Sequence, residues 1–474
     1  MYQNLYYDRQ KAKVHIWDDE LGYYTLPYKR YAYVKDRAGT HISLYGDKLR
    51  KVFKFDAETP NLFESDVPPE TRVLVDQYTD SEDLSKNHRI MMIDIEVEVT
   101  EGFPEPSEAK NKITSIAIHD SVDDVYYAFA LDEKKRLTLE SKDNVVVLRF
   151  DDEFSLLQAF FQKYLQIKPT IITGWNMDSF DMPYLYNRAC KVVGSNVADM
   201  LSPIQEVQWN KHRGRYLFAG VSCLDYLGLY KLFTYTQLSS YRLDAVAEFE
   251  LGENKIEYDG TLTDLYENDL NKYIEYNIHD VRLVKRMHDK LDFIDMARGV
   301  CHVGHVPYED VFFSSRYLEG AILVYLKNLG IVAPNKKSRV MKTDGDKFAG
   351  AYVQPPQRGK HDWVFDLDIT SMYPSVIMSL NISPETKIGK LNGWDAEEFM
   401  RGTKKTYTLE SNGVEKGKLT ETELKDFFDN NKVSVSSNGV LYRSDKKGLI
   451  PALLEKWFDT RVEYRKLMKK FGDA

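Results

Sequence analysis

In residues 91–97, MMIDIEV, two acids alternate with apolar residues. Side chains alternate across a β-strand, so Asp94 and Glu96 project from one face while Ile93, Ile95 and Val97 cover the other. Carboxylates in the middle of an apolar strand are costly to bury unless they ligate a metal or pair with cations. The plainer alternative is a pair at a sheet edge facing water. The flanking text is that of an α/β domain. RIMMIDIEV at 89–97, ITSIAIHD, DVYYAFAL and TIITGW read as strands, and FSLLQAFFQKYLQIK has helical periodicity. Strand and helix signals alternate in this way to about residue 290.

Two further segments carry matching chemistry. GWNMDSFDMPYLYNR places Asn176 and Asp181 after a strand, at the start of a helix. YIEYNIHDVRLV places Tyr276 and Asp280 at i and i+4, on one helix face. Singly, each is most simply a capping or surface residue. Together they form an ordered set: D-x-E on a strand, N-x3-F-D, then Y-x3-D on a helix. Mg²⁺ prefers carboxylate and water oxygens, and Mn²⁺ accepts similar ligands. Two such ions roughly 4 Å apart generate a hydroxide and stabilise the leaving oxygen in phosphodiester cleavage. Tyr276 would aim the attacking water. Between the second and third segments, IQEVQWNKHRGRYLFAGVS reads as a β-hairpin. Its basic tip (Lys211, His212, Arg213, Arg215) suits phosphate contacts or, more plainly, a solvated turn.

The bulk numbers agree with an intracellular enzyme. A chain of 474 residues has room for two to four domains, and 43% hydrophobic with 13% aromatic residues supports packed cores. The net charge of −9 argues against a protein that coats nucleic acid, though not against an enzyme acting on it, since metal-binding acids add negative charge. Cys190, Cys223 and Cys301 lie far apart and form no disulfide framework. CHVGH at 301–305 lacks a fourth zinc ligand and reads as ordinary packing. The polar, aromatic N-terminus is no signal peptide, and no apolar run approaches ~20 residues. A soluble, cytoplasmic protein without a membrane partner is expected. Residues 1–89 read as short strands, such as KVHIWDD and TRVLVDQY, followed by a linker-like TDSEDLSKNH. Residues 293–338 read as mostly helical, 395–432 as a polar surface insertion, and 448–474 as one strong helix.

A second acidic motif lies at 364–377, VFDLDITSMYPSVI. Asp366 and Asp368 again alternate with apolar residues, and a Ser-Met-Tyr-Pro turn follows. This looks like half of a site for a divalent metal and a nucleotide.

The first three segments resemble the Exo I, Exo II and Exo III motifs of the proofreading 3′–5′ exonuclease of family B DNA polymerases, in the T-even bacteriophage type. VFDLDITSMYPSVI resembles motif A of the same family, with Met372 where the family has Leu. KFAGAYV, NISPET at 381–386 and GLIP at 448–451 fit the same type. The resemblance implies a mixed α/β (α+β) protein in the N-terminal half of such a polymerase. Its parts would be an N-terminal domain at 1–89 with 293–338 packed back on it, a ribonuclease-H-like exonuclease at 90–292, a partial palm at 339–447, and a truncated first fingers helix at 448–474. It makes Asp94, Glu96, Asp181 and Asp280 ligands of two Mg²⁺ (or Mn²⁺) ions, Tyr276 the residue that orients the water, and Asn176 a residue that positions the single-stranded 3′ end or the groups behind the metal ligands, while the hairpin with Lys211, Arg213 and Arg215 would bind DNA and help separate the primer end from the template. It makes Asp368 and the Ile369 carbonyl metal ligands for polymerisation. Ser371 and Met372 would offer N–H groups to a deoxynucleoside triphosphate, and Tyr373 would lie under its sugar, leaving no room for a 2′-hydroxyl. Arg461 and Arg465 would contact the triphosphate, and Gly350 and Tyr352 the template strand of the primer–template. Asp366 receives no catalytic role.

Motif B, motif C and the clamp-binding tail of the family do not occur in this sequence. The expected function is therefore DNA replication with proofreading, polymerisation depending on a second chain or a missing C-terminal half that would also reach a sliding clamp. A stand-alone 3′–5′ DNA exonuclease with a vestigial palm is the first alternative, and a non-catalytic DNA-binding subunit the second.

Overall fold

The structure, a computed structural model, describes residues 1–56, 58–79, 84–99, 104–336, 352–403, 406–411 and 414–472. The chain divides into two compact units, one of residues 1–32, 51–60 and 64–324, the other of residues 33–50, 61–63 and 325–474.

The first unit is built on a six-stranded sheet in the order Val145–Phe150, Val125–Leu131, Ile113–Asp120, Ile90–Val97, Ile171–Thr173, Ser222–Cys223. Ile90–Val97 pairs antiparallel with Ile113–Asp120 and parallel with Ile171–Thr173. This is the mixed α/β arrangement expected from the sequence. The alternation in MMIDIEV sorts residues between two cores. Met91, Ile93 and Ile95 pack with Leu156, Phe160 and Tyr164 of the helix Glu153–Ile167. Met92 packs on the opposite face with Tyr273, Ile274 and Ile278 of the helix Leu270–Leu291. Asp94 and Glu96 share that second face. Their cross-strand partners are Ala117 and Ser115, small residues that leave room for the long helix.

An antiparallel sheet of Tyr2–Asp8, Lys13–Asp18 and Gly22–Pro27 completes the β-rich N-terminus of this unit. The Tyr2 hydroxyl donates to the carbonyls of Cys301 and Val306, at 3.0 and 2.7 Å, and so ties the first strand to the helix Phe293–Gly304. One expectation is corrected here. TRVLVDQY is not a strand but part of the helix Pro69–Gln77. Pro69 sits at the first helical position, where its missing N–H costs nothing. The run Val73-Leu74-Val75 is buried throughout, and a short buried apolar run carries no period that separates helix from strand.

In the second unit, Val414–Thr420, Thr406–Ser411, Lys387–Asn392, Val440–Arg443 and Val433–Val435 form an antiparallel sheet in that order. Most of the segment read as a polar insertion is therefore sheet and helix. Tyr407, Leu424, Leu391 and Leu441 form its core, with Trp394, Phe399, Phe427 and Phe428 packed around them. NISPET and GLIP meet in space. The Asn381 amide donates to the carbonyls of Arg443 and Lys446 and accepts from Gly448 N–H, and Ser383 Oγ accepts from Ile450 N–H. These bonds satisfy N–H groups at the start of the helix Leu449–Phe471, which would otherwise lack partners. The helix Met372–Ser379 packs along that helix.

Candidate active site

The strand Ile90–Val97 and the helix Leu270–Leu291 supply most of the site. Asp94, Glu96 and Asp280 each present an oxygen within 4.8 Å of the others. Among the described residues they are the one group of three or more acids, histidines or cysteines so placed. Asp181, the first residue of the helix Asp181–Val192, accepts a hydrogen bond from Ile95 N–H at 3.0 Å, between the two acids of the strand. The geometry thus brings three of the predicted carboxyls into a tight group and sets the fourth against the strand backbone between Asp94 and Glu96.

Two partners of this group were not legible as motifs. Lys255 Nζ donates to Asp280 Oδ2 and, at 2.9 Å, to the hydroxyl of Tyr276. Asn277 Nδ2 donates to Asp94 Oδ2 at 2.6 Å, while its own Oδ1 accepts from Ser115 at 2.7 Å. Asn277 stands three residues before Asp280, so helix spacing could have found it. Lys255 lies in a loop, where no period applies. The ring of Tyr276 stands edge-on to Tyr258, centroids 5.4 Å apart, which fixes the phenol.

The charges are unbalanced. Two like charges at such a spacing repel by roughly 3–4 kcal/mol at an effective dielectric of about 20. Burial, then the neighbouring acids, pushes Asp94 well above the usual carboxylate range. The same two causes push Glu96 up to about 8, and burial pushes Asp181 up to about 7. Asp280 is also raised by burial, against the pull of Lys255. One ammonium faces four carboxyls, and the buried Oδ1 of Asp280 has no hydrogen-bond partner among the described residues. Oxygen ligands, excess negative charge and an orphaned carboxylate oxygen are what a hard divalent cation requires, so the residues fit one.

Around this group the other predicted residues divide. Asn176 is exposed, with a left-handed φ of 64°, in the loop that leads to Asp181. Val207–Asn210 and Arg215–Phe218 form the expected hairpin, with Lys211 and His212 exposed at its tip. Arg213 and Arg215 are held by acids of the protein. Arg213 is half-buried, pairs with Asp310 and lies 4.8 Å over the Phe313 ring. Arg215 is only 5% exposed and pairs with Asp178. Both guanidiniums have acidic partners within the protein. Their spacing in sequence had put them on the turn, but Arg215 already belongs to the returning strand.

The second motif is built differently. Residues 360–369 form no strand, and Asp366, Asp368 and Ile369 are exposed. Ser371, with a φ of 49°, immediately precedes the helix Met372–Ser379, and Tyr373 is 74% exposed. Arg461 and Arg465 are exposed on the helix Leu449–Phe471. Tyr352 is exposed, and Gly350 lies outside the described residues, as does part of TDSEDLSKNH. Among the described residues no third ligand group gathers at Asp368.

Comparison with known proteins agrees with this division. Residues 54–246 match the model of the DNA polymerase family B exonuclease domain, and residues 313–474 that of DNA polymerase family B. The DNA-directed DNA polymerase of Escherichia phage RB69 is 31% identical over 407 residues, 80% of this chain and 42% of that protein. That of Enterobacteria phage T4 shows the same identity and coverage. DNA polymerase 1 of Sulfurisphaera ohwakuensis is 28% identical over 72% of this chain and 39% of its own length. The chain thus spans about two fifths of the length of these relatives. It carries both the exonuclease and the polymerase signatures of one family, and it belongs to the family B DNA polymerases.

Proposed function

We propose that this chain removes nucleotides from the 3′ end of DNA by hydrolysis, as the proofreading part of a replicative polymerase. The observation that carries the reading is the carboxyl group of three, Asp94, Glu96 and Asp280, set beside Tyr276, with Asp94, Glu96 and Asp181 inside residues 54–246 that match the exonuclease family. Asp94, Glu96, Asp181 and Asp280 would hold two Mg²⁺ ions, with Mn²⁺ as a substitute. Bound there, the ions supply a hydroxide and neutralise charge on the leaving oxygen. Lys255 donates to the Tyr276 oxygen, which leaves the phenol's own proton free to donate to the attacking water. The same ammonium offsets part of the charge on Asp280 and holds its carboxyl in one orientation. Asn176, exposed at the loop before Asp181, would touch the substrate strand, as would Lys211 at the hairpin tip.

The second unit we read as the start of a polymerase palm. Asp368 and the Ile369 carbonyl would bind metal, Ser371, Met372 and Tyr373 the incoming deoxynucleoside triphosphate, and Arg461 and Arg465 its phosphates. The packing of Met372–Ser379 along the arginine-bearing helix supports that grouping. Polymerisation on a primer–template would take a further carboxylate from a second chain or from the rest of a longer one, which would also reach the sliding clamp. No helix among the described residues is long and apolar enough to cross a membrane, and we assign the activity to the cytoplasm, of a host cell if the chain is viral.

The test is single-turnover excision from a 5′-labelled single strand with Mg²⁺. The parent chain shortens it from the 3′ end, and Asp94→Ala with Glu96→Ala leaves it intact. Equal rates in parent and double variant would remove the assignment.

A further inference from the structure

Asp181 reaches the site through the loop 174–180, and this loop is held at three places. Gly174 lies against the strand that carries Asp94, so close that a Cβ would stand 2.4 Å from the Ile93 carbonyl oxygen. The Asp225 carboxylate accepts from Asn176 N–H at 3.2 Å and Asp178 N–H at 3.1 Å. It also caps the helix Tyr226–Phe233 by accepting from Leu227 and Gly228 N–H, so four backbone donors converge on one buried side chain. From the other side, Arg215 of the hairpin pairs with the Asp178 carboxylate.

The Arg215 pair is costly. Its Nε and Nη2 atoms are buried with no hydrogen-bond partner among the described residues. An apolar side chain would fill that strand position without leaving donors unpaired. The pair therefore has its value in where it holds Asp178, two positions after Asn176 and three before Asp181.

We propose that Arg215 and Asp225 are positioning residues of the nuclease, clamping the 174–180 loop between hairpin and helix so that Asp181 meets Ile95 N–H and Asn176 keeps its left-handed turn. The proposal rests on the nuclease reading above. A shift of about 1 Å in a group that holds reacting partners costs on the order of 10²-fold in rate. A positioning residue changes kcat. A residue that neutralises a phosphate changes KM and the salt dependence of binding, whose logarithmic slope on a single strand falls by roughly 0.7 for each phosphate no longer neutralised.

The experiment compares Arg215→Ala, Arg215→Lys, Asp225→Asn, Lys211→Ala and Asp181→Ala in the full chain. Three readouts are taken: kcat and KM for excision from an oligothymidylate with Mg²⁺, affinity for the same strand in EDTA against salt, and amide exchange of the peptide spanning 174–181. Arg215→Ala and Asp225→Asn are expected to lower kcat roughly 10- to 100-fold with KM and salt slope unchanged, and to speed amide exchange of that peptide about tenfold or more. Arg215→Lys keeps a cation for Asp178 and recovers part of kcat, while Lys211→Ala supplies the KM and slope change of a surface phosphate ligand. A lowered salt slope in Arg215→Ala would make Arg215 a phosphate ligand and overturn the proposal. Parental kcat and amide protection in Arg215→Ala and Asp225→Asn, beside an inactive Asp181→Ala, would overturn the proposal and leave the nuclease reading standing. Parental kcat in Asp181→Ala would overturn the nuclease reading itself.

Discussion

Two pairs of acids in this chain are written almost alike, Asp94-Ile95-Glu96 and Asp366-Leu367-Asp368, each alternating with apolar residues. In space they differ completely. The first lies inside a six-stranded sheet, bonded to Asn277 and crossed by a helix that brings Asp280 and Tyr276 to it, with Lys255 arriving from a loop. The second lies on a segment with no strand partner among the described residues, its Val364, Phe365 and Leu367 side chains 78–85% exposed. A D-x-D or D-x-E pattern therefore specifies which face the acids take, and neighbouring strands and helices decide whether that face becomes a site.

The largest expected effects fall on the first region. Lys255→Ala leaves Asp280 without its cation and Tyr276 without its donor, and excision should slow by roughly 10²-fold, a size typical for loss of one fixed donor. A rate within threefold of the parent would mean that the ammonium is not part of the working site. Next comes the core beneath the strand. Phe160 is fully buried between sheet and helix, and Phe160→Ala should lower unfolding free energy by about 3–5 kcal/mol in a denaturant titration.

The pH response of the first unit should follow its buried histidines. His302 and His88 lie around Ser85, Tyr308 and Thr170, with Arg298 and Asp19 near, and burial with the Arg298 charge holds both down at about 3. With the folded value below the ordinary 6.5, the folded state binds fewer protons than the unfolded one between those limits. Their neutral-state contribution is present above pH 6.5 and lost as pH falls toward 3. At pH 5 the loss is roughly 2 kcal/mol per histidine. His302→Gln, neutral throughout, should show a smaller stability difference between pH 7 and pH 5 than the parent; an equal difference would remove this histidine from the account. Smallest of all, Leu367→Ser in the exposed segment should change stability by no more than about 0.5 kcal/mol. A larger loss would show that this segment is packed, and the contrast between the two regions would shrink.

Much of this was legible in the sequence. The strand period in MMIDIEV separated acids from apolar residues, and the helix period in YIEYNIHDVRLV put Tyr276 and Asp280 on one face. Both signals are local and follow from backbone geometry. Lys255 was not legible, because a cation that arrives from a loop twenty-five residues before its carboxylate partner leaves no spacing rule. Asp225 was not singled out, because two of its four donors come from a loop about fifty residues earlier, where no spacing rule applies. The acidic partners of Arg213 and Arg215, Asp310 and Asp178, were not legible, because charge in a turn reads as surface and these pairs are set by tertiary structure alone. The core of the segment 395–432 was not legible either, since Tyr407, Leu424 and Phe427 are too sparse to show one until the sheet brings them together.

The most direct test uses one 5′-labelled primer annealed to a longer template, with this chain alone, Mg²⁺ and all four deoxynucleoside triphosphates. With Asp94, Glu96 and Asp280 gathered in the first unit and, among the described residues, no such group at Asp368 in the second, the account predicts products shorter than the primer and none longer. Templated products longer than the primer, or a primer of unchanged length, would contradict it.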